Sequence, residues 1–516
     1  MRERILPVFI ALLFLAVVFL CIYNYKIGYR WRMIKTLSAK ELGSTISTKW
    51  IVISSKNYSY EEIEHWAQIS GWEVLVVGDT KAPNTSSWGG VHFLGVDEQE
   101  RLGYRIVKNL PQTSNSHRNI GYLFAIEHGA EWIYDTDDSV MPYGLGLEQF
   151  DYTDEVSGIR FGCNRTERSS SPVSFSPYRF FNGDHIWPEG FPLEYLRSHT
   201  NEGDRYCLCH KMRTAAVQHG LIHGSRDTDS IYRLLHTDEE VGIDEEFSRM
   251  APGVVLDKGA FSSWKSRNTL FNRRAFFTLY FPTTVSSCAA DMWRSYFAQK
   301  LLHTVDETVA FHPSNAVEIS GVHDDSLEDF ETERKVVDIY LDAGRIVEFL
   351  DKWKCTEGEV TACIVLLAEK FSKEGFWGDA DAELVKNWIL DLENIGYEFP
   401  TRGDHKEYSA REDIRGANCR RADIQFGHGT QRLMKKSTEK LKLISELAEW
   451  CRNATSSDVL RKMPSPKQLA ESHAKNGVLS NLEKSVLVIT SNYPWNRTVG
   501  VLQRIYTMMV LEYFQK

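Results

Sequence analysis

The sequence lacks the excess of basic residues that a protein needs to bind nucleic acid through its phosphates. Its 60 lysines and arginines stand against 70 acidic residues, which gives a formal net charge of −10. A polyanion is therefore not expected as the main partner, although a nucleotide held through a metal ion is compatible with this charge. The sequence also has no internal repeat of solenoid period. With 516 residues the chain exceeds one ordinary core, so we expect two or three domains.

One segment breaks the pattern of a soluble protein. Residues 5–23 carry no charge and are about as long as a helix that crosses a bilayer. A cleaved signal peptide is the alternative, but no A-x-A-like cleavage site follows the segment. We therefore predict a cytoplasmic tail and an uncleaved signal-anchor helix at residues 1–30.

Two kinds of signal disagree about the orientation of this anchor. Lysine and arginine are more frequent after the apolar run than before it, which by the positive-inside rule leaves the large domain in the cytosol. Glycosylation sequons of a lumenal chain point the other way. Five such sequons begin at Asn57, Asn84, Asn164, Asn453 and Asn496.

Cysteine is scarce. Of nine cysteines, one lies in the apolar run at Cys21, which leaves eight elsewhere. An even number permits full pairing in an oxidising compartment, but the scattered spacing is not that of a disulfide scaffold. Disulfides and buried thiols both remain open. The Cys207-Leu-Cys209-His210 sequence has no distant partner pair for a zinc site, so we interpret its thiols as loop cysteines.

Strands that alternate with helices predict a largely parallel sheet in the first part of the chain. Such a sheet binds its ligand at the carboxyl ends of its strands, where Asp79 and the acids at residues 135–138 are expected. Short β-branched or apolar runs predict strands at residues 50–54, 73–77, 91–94 and 131–134. Apolar spacing predicts helices at residues 60–69, 98–110 and 119–129.

The rest of the chain divides by composition. Residues 150–230 have little periodicity and predict a long functional loop region. Residues 333–395 have helical spacing, and a fresh strand is predicted at residues 485–490. We therefore expect an α/β domain at residues 45–330, a helical extension and linker at 331–480, and the start of a second, truncated α/β domain at 481–516.

The strongest motif is a helix that leads into a buried strand ending on Asp135, Asp137 and Asp138. Three acids at one strand end repel one another unless a cation relieves the repulsion. Mg²⁺ and Mn²⁺ take oxygen ligands and share them with diphosphates, so such an ion would neutralise a leaving nucleoside diphosphate. The alternative without a catalytic role is a solvated acidic turn. A calcium loop is excluded because the glycine at its sixth position is missing.

A haloacid-dehalogenase-type phosphatase is a further alternative for the same acids. Asp135 would then be the nucleophile and Asp137 the general acid. That family also needs a later lysine and a second acidic pair at strand ends. The acids at Asp379 and Asp381 lie in helical surroundings and fit this role poorly.

Several stretches of the sequence match a known family. They include VVGD ending at Asp79, DEQERLGYRI from Asp97, RNIGYLFAIEHGAEWIYDTDD from Arg118 and FPTTVSSCAADMWR from Phe281. With these stretches the chain resembles the STELLO family of Golgi glycosyltransferases over about residues 49–400. The resemblance implies a GT-A-like mixed, mostly parallel sheet with flanking helices, a single-pass type II anchor, a lumenal catalytic domain and a nucleotide-sugar donor. It does not supply the donor sugar or the glycan, protein or lipid acceptor.

The resemblance also implies roles for individual residues. Asp79 would contact the base or ribose of the nucleotide, and Asp135, Asp137, Asp138 and His312 would hold Mn²⁺ or Mg²⁺. For His312 a packed side chain is the alternative. The nucleotide or its diphosphate would be positioned by Arg118, Asn119 and Gly121.

A weaker likeness to the reversibly glycosylated polypeptides, which are nucleotide-sugar mutases, rests on Asp291-Met-Trp293. It makes Asp291 the candidate catalytic base, with a helix-capping aspartate as the alternative. Ala290 stands where related enzymes often carry an acid. Asp227 and Asp229 are candidates for the acceptor side.

Three functions therefore remain open. The first is a membrane-anchored, metal-dependent glycosyltransferase. The second is a catalytically silent GT-A scaffold that binds partner membrane enzymes, and the third is the phosphatase.

Overall fold

A computed structural model describes the chain in segments, and these contain the sheet and the helices around it. The described residues are 46–55, 60–78, 90–111, 114–163, 173–181, 186–196, 206–223, 247, 251–318, 336–403 and 419–422. The predicted anchor, the candidates Asp79, Asp227 and Asp229, and the predicted strand at 485–490 lie outside them. In the described part of the chain, no helix has both the length and the apolar character needed to cross a membrane.

The first part of the chain forms the parallel half of a mixed sheet. Its strands are β1 (Lys49–Ser54), β2 (Glu73–Val77), β3 (Val91–Leu94) and β4 (Trp132–Asp137), in the order β3-β2-β1-β4. The helices between them are α1 (Tyr60–Ala67), α2 (Val96–Arg101) and α3 (Ser114–Glu127). The four predicted strands and the parallel arrangement of this half are confirmed.

The helix predicted at residues 98–110 is too long. Helix α2 ends at Arg101, and a separate 3₁₀ helix follows at Ile106–Asn109. Gly103, between the two, has a φ of 72°, in the left-handed region that a helix cannot continue through.

The second half of the sheet continues from β4 with mostly antiparallel neighbours. The strands that follow β4 in sequence are β5 (Val140–Pro142), β6 (Glu155–Phe161), β7 (Val173–Ser174), β8 (Tyr206–Arg213), β9 (Val217–His223), β10 (Val254–Leu256), β11 (Ala260–Phe261), β12 (Asn268–Asn272), β13 (Val309–Glu318) and β14 (Cys419–Ala422). Strand β12 lies antiparallel to both β4 and β9, and the order then runs β13, β10, β6, β8 and β14. The short β5 pairs with β13, and β7 and β11 form a separate two-stranded sheet.

The prediction of a long loop region at residues 150–230 is wrong, because β6, β8 and β9 lie within it. Strand β9 shows the physical reason. It is buried along its whole length and pairs with β12 and β13, both far away in sequence. A strand buried on both faces has no polar alternation, so its sequence lacks the period of two that marks a strand.

Alternation of side chains places β1 and β2 between two apolar layers. Val52 and Val77 face helix α3, whereas Ile51 and Ile53 face α1 through Ile63 and Trp66. Helix α3 approaches the sheet closely at Gly121. A Cβ atom added there would lie 2.6 Å from Val77 Cγ2 and 2.8 Å from Val52 Cγ1.

Two further helices, α4 (Pro177–Phe180) and α6 (Ser287–Thr304), pack into the same hydrophobic core as the sheet. Another short helix, α5 (Leu193–Leu196), lies between them in sequence. The helical pattern predicted for residues 333–395 is confirmed as α7 (Val336–Lys352), α8 (Val360–Lys373) and α9 (Asp379–Asn394).

Two buried carboxylates on α9 tie this helical extension to the sheet domain. Asp381 accepts hydrogen bonds from Tyr280 Oη (2.6 Å) and from the backbone N–H of Thr283 (2.7 Å). Asp391 accepts from the backbone N–H groups of Arg105 and Ile106, both at 2.9 Å. Each carboxylate therefore satisfies backbone donors of the sheet domain.

Three disulfides join cysteines of the described chain, namely Cys163–Cys207, Cys209–Cys419 and Cys355–Cys363. For these six residues the choice between disulfides and thiols is settled in favour of disulfides. Cys207 and Cys209 lie on β8 and not in a loop, which corrects the interpretation of that motif.

Candidate active site

Strand β4 carries the acid cluster to the carboxyl edge of the parallel strands. Asp135 lies opposite Val52 of β1 and Thr269 of β12. Asp135 and Asp137 are two residues apart on a strand, so their side chains share one face of the sheet. Tyr134 lies on the other face, where it packs with Trp66 at 5.3 Å between ring centroids.

Asp135 is fully buried between two arginines. Arg294 Nη1 of α6 donates to its Oδ2 at 2.8 Å, and Arg118 Nη1 of α3 donates to its Oδ1 at 3.4 Å. Burial raises the pKa of Asp135 above its ordinary value, while the two guanidinium groups oppose that rise. A phosphatase nucleophile has to reach a phosphorus atom, so the enclosed position of Asp135 argues against the phosphatase alternative.

Asp137 is the more accessible acid, with a side chain that is 17% exposed. Its Oδ1 accepts from the backbone N–H of Ser139 (3.0 Å) and from Ser139 Oγ (2.6 Å). Its Oδ2 accepts from Arg267 Nε at 3.1 Å. Arg267 Nη2 also donates to Ser139 Oγ at 2.7 Å and to Glu318 Oε1 at 2.6 Å.

Glu318 and Arg267 are members of the site that the sequence analysis missed. Glu318 ends the buried strand β13, and Arg267 immediately precedes β12. An acid at the end of an apolar strand is the same signal that identified Asp135 and Asp137. It could have found Glu318, but nothing in the sequence links Arg267 to either acid.

The other two predicted metal ligands have contacts of their own. Asp138 is buried and accepts from Ser55 Oγ at 2.6 Å. His312 is on β13, separated from β4 by β9 and β12, and its ring packs edge-on against Phe150 at 5.5 Å. Phe150 also contacts Tyr134, so His312 lies on the face opposite Asp135. The structure therefore does not bring His312 to the acids.

The carboxylates of this site fit a divalent ion only if substrate phosphates supply further ligands. Within the described segments, no three His, Cys, Asp or Glu side chains are grouped as a metal cluster. Mg²⁺, however, is usually bound by one or two carboxylates together with substrate phosphates. Asp137 and Glu318, which one guanidinium joins, supply two such carboxylates beside the Ser139 hydroxyl.

Asp291 lies in α6, and hydrogen bonds connect it with Asp135. Its Oδ1 accepts from the backbone N–H of Ser266 at 3.0 Å and from Ser266 Oγ. Ser266 Oγ in turn accepts from Arg294 Nη1 at 2.6 Å. The helix cap is Ser286, whose side chain accepts from the backbone N–H of Ala289, so the capping alternative for Asp291 is wrong.

The residues predicted to position the nucleotide have buried contacts instead. The Asn119 side chain donates to Phe281 O at 2.9 Å and accepts from Phe281 N at 2.8 Å. The Arg118 guanidinium lies 4.7 Å from the centroid of the Phe281 ring. Gly121 permits the close approach of α3 to the sheet. These contacts hold α3 between the sheet and the segment before α6.

A cleft opens beside this network. Lys265 and Glu189 form an ion pair in the cleft, and both side chains are largely buried. His219 lines it from β9, opposite Thr269 and therefore on the face of Asp135. The chain that leaves the cleft at Lys265 continues directly into Ser266 and Arg267. The lining residues are Pro177, Tyr178, Pro188, Glu189, His219, Leu221, Ser263, Trp264 and Lys265.

This arrangement, a mixed α/β sheet with acids at the carboxyl ends of its strands and a cleft beside them, is that of an α/β enzyme domain. The family model described as STELLO glycosyltransferases matches residues 288–514. The chain belongs to the STELLO family.

Two curated proteins of Arabidopsis thaliana are similar over most of the chain. One, named "Probable glycosyltransferase STELLO1", is 31% identical over 385 residues, which is 70% of this chain and 48% of that protein. The other, named "Probable glycosyltransferase STELLO2", is 30% identical over 402 residues, which is 74% of this chain and 51% of that protein. The chain thus spans about half the length of these relatives.

Proposed function

We propose that this chain is a glycosyltransferase that transfers a sugar from a nucleoside diphosphate to an acceptor hydroxyl. The observation that carries the proposal is the position of Asp137. It lies at the carboxyl edge of the parallel strands and is more exposed than the enclosed Asp135. Family membership supports the same reaction class, because the related proteins are named as glycosyltransferases.

We assign Asp137 to the diphosphate side, with Mn²⁺ or Mg²⁺ as the cofactor. A divalent ion bound there would neutralise the charge that develops on the leaving diphosphate. Arg118 and Arg294 hold the Asp135 side chain in place, so that strand β4 presents Asp137 in one position. Both arginines are buried, and each donates to Asp135.

We assign Asp291 as the catalytic base. It takes the proton of the acceptor hydroxyl while the bond between the sugar and the diphosphate breaks. The two hydrogen bonds from Ser266 orient its carboxylate. The Trp264 ring and the Lys265–Glu189 pair line the small cleft beside Ser266.

We further propose a lumenal location for this domain behind an N-terminal anchor, in the Golgi apparatus. Disulfides persist in oxidising compartments, and three of them join cysteines of the described chain. The five sequons favour the same side of the membrane.

Calorimetry with uridine diphosphate and guanosine diphosphate sugars tests the donor proposal. Binding is expected with Mn²⁺ and not in excess chelator, and Asp137→Asn should abolish it without loss of folding. Glu393→Gln, an exposed acid on α9, is the matched control. Undiminished affinity for the nucleotide sugar in excess chelator would contradict the metal assignment. Absence of nucleotide-sugar binding under every condition would favour a catalytically silent scaffold.

A further inference from the structure

Arg267 joins two carboxylates that belong to different strands. Its Nε lies 3.1 Å from Asp137 Oδ2 at the end of β4, and its Nη2 lies 2.6 Å from Glu318 Oε1 at the end of β13. The Arg267 and Glu318 side chains are 10% and 4% exposed. A guanidinium in this position places one positive charge between the two acids, where water can do little to screen them.

We propose that Arg267 occupies the place of the divalent ion in the donor-free protein and turns to the donor diphosphate when the ion binds. Glu318 then becomes the second carboxylate ligand beside Asp137. This inference rests on the proposed function, because it specifies how the same site receives a nucleotide sugar.

Charge gives the first reason for the exchange. A guanidinium carries one positive charge and a divalent ion carries two, so the ion compensates the Asp137 and Glu318 carboxylates more fully than Arg267 does. Once Arg267 is released, its planar fork of N–H donors matches the oxygen atoms of a phosphate.

The local backbone gives the second reason. Thr136 Oγ1 donates to Arg267 O at 2.8 Å, which holds the backbone of Arg267 beside β4. Ser139 holds Asp137 Oδ1 through two hydrogen bonds, so the Asp137 carboxylate keeps its position whether or not Arg267 is present. The exchange is therefore a rotation of the Arg267 side chain about a backbone that keeps its place beside β4.

A permanent structural clamp is the competing explanation for the same contacts. The two explanations differ in the sign of one effect. If Arg267 competes with the ion, its removal strengthens Mn²⁺ binding in the absence of nucleotide. If Arg267 is a clamp that shapes the ion site, its removal weakens Mn²⁺ binding.

The experiment measures Mn²⁺ affinity by electron paramagnetic resonance of the free ion, and then uridine diphosphate and guanosine diphosphate affinity by calorimetry at saturating Mn²⁺. The variants are Arg267→Gln, Arg267→Lys and Glu318→Gln, with Glu393→Gln as the control. Circular dichroism and thermal melting verify that each variant is folded. Arg267→Lys retains a positive charge and covers the case in which Arg267→Gln fails to fold.

We expect Arg267→Gln to bind Mn²⁺ more tightly and the nucleotide more weakly, each by about tenfold, since a charge-assisted hydrogen bond is lost. Arg267→Lys should bind the nucleotide at an intermediate level, and Glu318→Gln should bind Mn²⁺ more weakly. Weaker or unchanged Mn²⁺ binding by folded Arg267 variants would overturn the exchange. A wild-type protein that binds neither nucleotide would instead contradict the proposed function, so the two failures are distinct.

Discussion

Arg294 and Asp135 lie 159 positions apart in sequence, yet Nη1 of Arg294 meets Oδ2 of Asp135 at 2.8 Å in the interior. Arg294 Nη1 also contacts Ser266 Oγ and Tyr122 Oη. One guanidinium thus connects strand β4 with helix α6 and with the residue that orients Asp291. Asp135, which was predicted to bind a metal, is therefore part of the core, and Asp137 is the more accessible of the two acids.

Removal of this guanidinium should destabilise the fold. Arg294→Leu leaves the Asp135 carboxylate buried with weaker compensation, and loss of one partner of a buried ion pair typically costs about 3–5 kcal/mol. Urea unfolding of both proteins measures the difference. Arg345→Leu, which breaks the exposed pair with Asp342 on α7, is the control and should change stability little. Equal effects of the two substitutions would contradict the role given to Arg294.

Asp291→Asn should separate catalysis from donor binding. The amide oxygen still accepts from Ser266 but cannot take a proton, so turnover should fall by about 10²–10⁴-fold. Donor binding should persist, because Asp137 remains. Ser266→Ala should lower turnover less, since the base stays and only its orientation suffers. Turnover and donor binding are measured for each folded variant once an acceptor is found. Normal turnover of Asp291→Asn would exclude it as the base, and Asp227 or Asp229 would be tested next.

His312 should make the protein sensitive to acid. Burial lowers the pKa of His312, and Asp151, with an oxygen 3.9 Å away, opposes that shift. The folded state therefore holds the neutral ring, whereas the unfolded chain binds a proton below about pH 6.5. The contribution of His312 to stability is complete above that pH and decreases as the pH falls.

The free energy of unfolding at pH 7 and at pH 5 tests this expectation. The wild type should lose more stability across this interval than His312→Gln, by at most about 1.4 kcal/mol per pH unit for one proton. His65→Gln, an exposed residue of α1, is the control. An identical loss in the wild type and in His312→Gln would refute the assignment.

Gly121→Ala should destabilise the protein although alanine is the better helix former. The added methyl would overlap Val77 and Val52, and overpacking of a core typically costs about 1–3 kcal/mol. Gly358→Ala is the matched control, because a Cβ atom there meets nothing within 4 Å. Thermal melting compares the two variants. A melting temperature of Gly121→Ala at or above that of the wild type would show that α3 can move away from the sheet.

The location of the domain can be tested in cells. If the domain is lumenal, endoglycosidase digestion of the expressed chain should shift its electrophoretic band, because the sequons carry glycans there. The chain should also resist protease in intact microsomes. An unshifted band together with protease sensitivity would favour the cytosolic orientation that the flanking charges indicate.

Local signals predicted the parallel half of the sheet well. β1 and β2 are short β-branched runs bounded by polar residues, and α3 precedes β4 as its spacing indicated. The second half was missed for a physical reason. Strands β6, β8 and β9 obtain their partners from distant segments, and two disulfides join β8 to Cys163 and Cys419.

The candidate site divides in the same way. The sequence by itself determined that acids end β4, because a strand end is a local property, whereas Asp291 was indicated only by a family likeness. Only the tertiary structure decided the partner of each acid. Asp135 pairs with two arginines, Asp137 shares Arg267 with Glu318, and Asp138 bonds to Ser55. Charge compensation acts through space over a few ångströms, so a side chain far away in sequence determines whether an acid is enclosed or accessible.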